Sequence, residues 1–255
     1  MPRLVLVVLM CLAAPLVGAV GFLFGVVSAQ TLVGLGMLGG LMIGVLVVAA
    51  SAMPGLQLFG PAIVRGDHPR HVCLTFDDGP DPSSTPALLE ALRAHQAKAT
   101  FFVLLDRAEA YPELLRAIAA EHEVGLHGSS HHPWLTVWSP KRGAAELAQA
   151  SARLAELVGK SIHWFRPPFG VTSPRLVASV AAAGLQTVWC SIRTRDGAFS
   201  TQARLLSACE RVAGGDIVLM HEGPRPARLA LGEILDRLIA RGLQPVTVGQ
   251  LLKTP

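Results

Sequence analysis

From Leu4 to Val64 the chain contains no Asp, Glu, Lys, Arg or His. Soluble domains are about one-quarter charged, so a stretch of this length without charge cannot supply their solvated surface. It matches hydrocarbon instead. Leu4 to Val27 and Leu32 to Met53 are each long enough to span a bilayer, which takes about 20 apolar residues. The polar break Ser28-Ala29-Gln30-Thr31 separates them, and Pro54-Gly55 and Gly60-Pro61 mark an exit linker. Residues 1–64 are therefore expected to form a hairpin of two transmembrane helices. Gly21 and Gly25 in the first span, and Gly36, Gly40 and Gly44 in the second, fit close helix contact, because small residues four apart let helices approach in lipid. Such a hairpin returns both ends to one side. Arg3 flanks one end, Arg65 and Arg70 the other, and the connecting loop is uncharged. The positive-inside rule then places the following domain in the cytoplasm. The competing reading is a cleaved signal peptide and a periplasmic domain. A second span and the lack of a clear cleavage site argue against it.

Apart from Arg3, every charged residue lies from Arg65 onward. Residues 65–255 thus read as one globular domain, large enough for a single core. The net charge of +4 is small and scattered. No basic stripe carries interleaved aromatics, which excludes nucleic acid as a partner. Mild attraction to acidic lipid or a phosphorylated substrate is compatible with the charge. Cys11, Cys73, Cys190 and Cys209 show no CxxC spacing. They are expected to be free buried thiols, with no disulfide framework.

Within the domain, short apolar runs alternate with amphipathic stretches about seven times. Strands are expected at Val72–Phe76, Ala99–Leu105, Glu123–His127, Ile162–Arg166, Gln186–Cys190, Asp216–His221 and Gln244–Val248. Helices are expected from Thr85 or Pro86 to about His95, from Pro112 to about Ala120, and over Lys141–Val158, Pro174–Ala183, Thr201–Val212 and Pro226–Arg241. Alternation of this kind argues an α/β fold: a parallel sheet with helices outside, here a small or incomplete barrel. In barrels the chemistry sits at the C-terminal ends of the strands. Asp77-Asp78, His127, Arg166, Asp196 and His221 all fall there.

The run Val72-Cys73-Leu74-Thr75-Phe76 ends in two acids and then Gly79-Pro80. A buried carboxylate is costly unless paired or metal-bound, so this strand end reads as one edge of a metal site. His127 and His131 are four apart, and one helical turn would bring both imidazoles to one face. With one carboxylate they make a zinc-type set that leaves a position open. His132 is a rival ligand. If the backbone turns at Gly79-Pro80, both carboxylates can converge, one to hold metal and the other to take a proton from water. Arg166, in Arg166-Pro167-Pro168-Phe169-Gly170, would keep the base ionised. His221 could protonate a leaving amine, with Asp196 sustaining its basicity.

These motifs, TFDDGP, His-x3-His, RPPFG and Leu-x-His, in this order from Val72 to Leu252, closely resemble the NodB-type polysaccharide deacetylases of carbohydrate esterase family 4. The resemblance implies a distorted (β/α)7 barrel that removes N-acetyl groups from amino sugars with a divalent metal, commonly zinc. It implies Asp77 as the base, Asp78, His127 and His131 as metal ligands, Arg166 as partner of the base, and His221 as the acid. Leu219 would line the acyl pocket, and Pro168, Phe169 and Gly170 would help bind the substrate and stabilise the oxyanion. Two departures stand out. Gly128 follows His127 where the family has Ser or Thr, and a motif usually reading Asp-x-x-Asp-Trp is Arg193-Thr194-Arg195-Asp196-Gly197 here.

The expected activity is metal-dependent hydrolysis of the N-acetyl group of an amino sugar in a polysaccharide, oligosaccharide or lipid-linked glycan at the membrane. Alternatives are a deformylase or deacylase of a polyprenyl-linked amino sugar, and a non-catalytic sugar-binding scaffold. The loop Pro133-Trp134-Leu135-Thr136-Val137-Trp138 follows the histidines, and its tryptophans either touch lipid or fold onto the core.

Overall fold

The computed structural model describes residues 2–52, 54–196, 201–223 and 225–253. The uncharged segment forms two helices, α1 (Pro2–Leu23) and α2 (Ala29–Ala52). Gly25 turns the chain between them at φ +70°. Among the described residues one helix, Ala29–Ser51, is long and apolar enough to cross a membrane. The helices meet at Gly18, where a Cβ would lie 2.6 Å from Leu35 Cδ1. The expected glycine seam is displaced. A Cβ on Gly36, Gly40 or Gly44 would meet nothing within 4 Å, and one on Gly21 would meet Val27 of the turn. Spacing identified small residues but not which face of α2 is turned to α1.

The remaining chain runs β1 (His71–Gly79), α3 (Thr85–Ala94), β2 (Ala99–Leu104), α4 (Leu105–Ala110), α5 (Pro112–Glu121), β3 (Glu123–Gly128), α6 (Pro140–Val158), β4 (Trp164–Phe165), α7 (Pro174–Ala182), β5 (Gln186–Thr187), β6 (Ile192–Arg193), α8 (Gln202–Glu210), β7 (Ile217–His221), α9 (Arg225–Ala240), β8 (Gln244–Pro245) and α10 (Val248–Leu252). Helix starts follow their local chemistry. Ser139 caps α6 and Ser173 caps α7, each with Pro at the first position. Gly159 ends α6 in the left-handed conformation.

All strand pairs are parallel, in the order β5-β4-β3-β2-β1-β7-β6, with β8 on the first residues of β1. This is a curled α/β sheet with helices outside, and it differs from a seven-stranded barrel in two respects. There are eight strands among the described residues, because the two-residue β6 leaves no periodic pattern to read. Three expected strands shrink to two residues, and the last gives way to α10 behind a Thr247–Gln250 capping box. Second, β5 and β6 do not pair, so the ladder stays open. Ile63 of the linker bridges to Val188 beside that gap.

Side chains of β1 alternate between two cores, as strand geometry requires. Val72, Leu74 and Phe76 join the layer under the helices, while Cys73 joins Phe102, Val188, Ile217 and Leu219 inside the curl. Thr75 and Asp77 share the inward face with Cys73. Cys73, Cys190 and Cys209 are free and buried, and burial pushes their thiols up to about 12, 11 and 12. The Cys11 side chain lies outside the described residues.

Candidate active site

β1 is regular as far as Asp77 and then breaks. Asp78 takes φ +71°, and the register against β2 slips between Asp77 and Gly79. A non-glycine residue in this region is uncommon and costs about 1–3 kcal/mol, a strain that structures retain at functional sites. The kink sends the two neighbouring acids in different directions. Asp77 stays inside the curl and Asp78 swings toward the end of β3.

Asp77 is 3% exposed and Arg166 is 1% exposed. Arg166 Nη1 donates to Asp77 Oδ1 at 2.8 Å and to Thr75 Oγ1 at 2.6 Å. Its Nε donates to the Val188 carbonyl at 3.3 Å and Nη2 to the Trp189 carbonyl at 2.9 Å. The guanidinium also lies 4.1 Å over the Phe102 ring. It is held by β1, β2 and the segment after β5, and in turn holds Asp77. Thr75 completes the chain by donating to the Val218 carbonyl.

Asp78, His127 and His131 offer three ligand atoms within 4.8 Å of one another. Asp78 Oδ1 lies 3.4 Å from Nε2 of each imidazole and has no hydrogen-bond partner although buried. His127 Nδ1 donates to the Arg166 carbonyl at 2.9 Å, which leaves the Nε2 lone pair facing Asp78. Two imidazoles and a carboxylate sharing one orphaned point fit a divalent cation with an open position. Burial opposes the ionised form of Asp78, but the His127 and His131 imidazoles hold its carboxyl below the usual range. Burial lowers His131 in turn, and an unprotonated imidazole is the form that binds metal.

The two histidines do not share a helical turn. His127 is the penultimate residue of β3 and His131 lies in the irregular segment after it. Gly128 makes the reversal at φ +116°, a conformation open to glycine and strained for Ser or Thr. The loop is tied down by Ser129, whose hydroxyl donates to Glu146 at 2.6 Å and whose carbonyl accepts from Asp106 N–H. His132 turns away, accepting from Trp134 N–H at 3.2 Å. The tryptophans differ. Trp138 packs on the core with Arg142 over its ring, and Trp134 is 57% exposed.

His221 faces this set from β7, where it pairs in register with Asp77. Asp196 is fully buried and accepts from both His221 Nδ1 and His221 N–H at 2.8 Å. Burial alone would lower His221. The bond and charge of Asp196, with Asp77 and Asp78, outweigh it and raise the imidazole to about 8. Gly197 lies outside the described residues.

These groups line a cleft of about 330 Å³, walled by Pro167, Phe169, Gly170 and Leu219 on one part and Trp189, Arg193 and Arg195 on another. Phe169, at φ +59°, lays its ring 4.0 Å from that of His131. Pro168 does not reach the cleft wall. It is buried behind it, with its ring beside Gly128. Sequence reasoning passed over Trp189, Thr75 and Glu222. Glu222 is buried behind the β1 kink, where a Cβ on Gly79 would lie 1.6 Å from its Oε1. Thr75 sits inside TFDDGP and Glu222 directly follows His221, so position in the motifs was the available signal.

Residues 65–188 match the family model described as polysaccharide deacetylase. A chitooligosaccharide deacetylase of Bradyrhizobium sp. (strain ANU 289) is 37% identical over 62% of this chain and 73% of its own. Among solved structures, the Bc1960 peptidoglycan N-acetylglucosamine deacetylase superimposes with TM-score 0.69 at 28% identity, covering 75% of this chain and 92% of that one. BA3943 of Bacillus anthracis, a CE4 family pseudoenzyme, gives TM-score 0.70 at 25% identity over 76% and 69%.

Proposed function

Because this chain belongs to the polysaccharide deacetylases of carbohydrate esterase family 4 and is an N-deacetylase, we propose that Asp77, Asp78, His127, His131, Arg166, Asp196 and His221 form its hydrolytic centre. Its substrate is an N-acetylated amino sugar presented at a membrane. The observation that carries this is the convergence of the orphaned Asp78 Oδ1 and two imidazole Nε2 atoms between a clamped carboxylate and a carboxylate-backed imidazole.

Asp78, His127 and His131 would hold the cation, and zinc suits a two-histidine, one-carboxylate set. Such a cation supplies Lewis acidity to the acyl oxygen and makes water more acidic. Asp77 takes the proton of the attacking water on Oδ2, since Arg166 occupies Oδ1. Water oxygen bonds to the acyl carbon and the carbon–nitrogen bond breaks. His221 gives its proton to the departing sugar nitrogen, and an imidazole raised to about 8 is charged at neutral pH. Phe169, Gly170 and Leu219 wall the acyl end, and the Phe169 N–H is the donor this loop offers the oxyanion, since Pro167 and Pro168 carry none and those of Arg166 and Gly170 donate to the Leu126 and Pro167 carbonyls.

Residues 1–64 serve as an anchor and 65–255 as the catalytic unit. α2 supports this by length and composition, and α1 extends the same uncharged stretch. The arginines flanking the stretch favour a cytoplasmic domain. A polyprenyl-linked substrate losing formyl or another acyl group is a second form of the same chemistry. It is supported by the altered cleft wall at Arg193. A scaffold role is the alternative in another class.

The test is metal analysis and acid release by the purified full chain on chitooligosaccharide, with Asp78→Ala as control. About one zinc per chain and acetate release, both lost in D78A, are expected. Metal-loaded wild type that releases no acid from any N-acylated sugar overturns the hydrolase mechanism in favour of a scaffold.

A further inference from the structure

Two guanidinium groups on the wall of the cleft have no protein anion to meet. Arg193 ends β6 and Arg195 lies two residues beyond, both exposed and both lining the cleft. Among the described residues neither guanidinium makes a hydrogen bond or ion pair to protein. The acids of the cleft are already engaged. Asp77 is held by Arg166 and Asp196 by His221, while Asp78 faces the two imidazoles. An arginine with no partner beside a catalytic centre has its five donors available for a bound anion.

Arg193 is positioned for this. Its guanidinium carbon lies 5.0 Å from the centre of the Trp189 ring, and Nη2 lies 2.7 Å from where a Cβ on Gly170 would stand. Stacking on the indole fixes the plane of the fork and leaves its N–H edge free. Gly170 belongs to the loop that walls the acyl end, so any group held by Arg193 lies next to the scissile amide. Arg195 takes φ +55°, a left-handed turn between β6 and the buried Asp196.

The other side of this wall meets the apolar helices. The Ser51 carbonyl, at the end of α2, accepts from Thr172 N–H at 2.9 Å, two residues beyond Gly170. A Cβ on Gly55 would lie 3.5 Å from Trp189 Cδ1. Trp189 thus contacts the exit of the membrane segment and also carries Arg193. With α2 across a bilayer, Arg193 and Arg195 stand near headgroup depth, at the cleft mouth.

We propose that Arg193 and Arg195 bind a phosphate carried by the amino sugar, so that the substrate is an N-acylated amino sugar joined through phosphate to a lipid. The phosphate takes no part in the chemistry; it seats the sugar with its acylamino group toward Asp77 and His221. This inference rests on the deacetylase mechanism above and specifies its substrate class.

The test uses the full chain, zinc-loaded in detergent micelles, with three compounds. These are the N-acetylglucosaminyl phosphate ester of a short prenol, the N-acetylglucosaminyl glycoside of the same prenol without phosphate, and N-acetylglucosamine 1-phosphate. The readout is the ratio of kcat/KM between the two prenyl compounds, which differ only in the phosphate. The expected ratio is on the order of 100, about tenfold for each arginine, or ~1.4 kcal/mol each. Arg193→Gln with Arg195→Gln should collapse the ratio toward one, and the double lysine variant should restore part of it. Added salt should lower it by screening. A ratio near one in wild type overturns the proposal. So does the same fractional loss on both prenyl compounds in the glutamine variant. Free sugar phosphate used as well as the prenyl ester overturns the lipid part. Failure to deacylate these compounds and chitooligosaccharide alike overturns the deacetylase mechanism as well.

Discussion

Replacing Arg166 with Met should cost the fold more than any other change at the site surface, and Asp77→Asn should recover much of the loss. Arg166 is 1% exposed and serves Asp77, Thr75 and the carbonyls of Val188 and Trp189. Breaking a buried ion pair by removing one partner costs about 3–5 kcal/mol, because the other charge stays buried and unpaired. Each carbonyl left without a donor adds about 1–3 kcal/mol, reduced where cleft water can reach it. A total of at least roughly 5 kcal/mol follows. At about 2–4 °C per kcal/mol for a domain of this size, R166M should melt at least about 10 °C below wild type. Asp77→Asn removes the stranded charge, so D77N/R166M should melt well above R166M although D77N alone gains nothing. The assay is thermal unfolding of the detergent-solubilised full chain by tryptophan fluorescence, since Trp164 and Trp189 both sit near the pair. Catalysis is lost in all three variants and plays no part in the readout. An R166M melt within about 3 °C of wild type would refute the buried-clamp reasoning. A double variant no more stable than R166M would refute its electrostatic part.

Three further outcomes follow from the geometry. Burial pushes the Glu222 carboxyl up to about 8, against the opposing Thr85 hydroxyl and Asp81 N–H. The folded state therefore holds a proton that the unfolded state releases. The associated stability is full below the ordinary carboxylate range and is lost as pH rises through about 8. Tm should fall between pH 6 and 9 in wild type and fall less steeply in Glu222→Gln, where His221, raised to about 8, leaves a smaller slope of the same sign; the same slope in both would exclude Glu222 as a source. Trp138→Ala should lower Tm, because Trp138 packs on the core beneath Arg142. Trp134→Ala should leave Tm alone and reduce turnover of a lipid-embedded substrate relative to a water-soluble one; equal losses on both would remove Trp134 from membrane contact.

Much of the centre was legible because its residues fall at the ends of apolar runs, where a parallel sheet collects chemistry. Asp77-Asp78, His127, Arg166 and His221 each stop such a run. Asp196 was legible as a survivor of an altered motif. Elements of two residues were not legible: β6 has too few positions for a period. The face that α2 presents to α1 was not legible either, since glycine spacing is the same on every face of a uniformly apolar helix.

The sequence by itself determined the alternation of strand and helix, the uncharged leading segment and the identity of the polar groups at the strand ends. Those properties reside in local pattern and composition, which need no knowledge of neighbours. Only the tertiary structure decided which groups two adjacent acids meet, because the left-handed turn at Asp78 sends it to the histidines while Arg166, far away in the chain, clamps Asp77. It also decided that Trp189, ordinary in the sequence, lies between the linker that follows α2 and Arg193 at the mouth of the cleft. Contacts of that kind depend on how the sheet curls, and no local pattern encodes them.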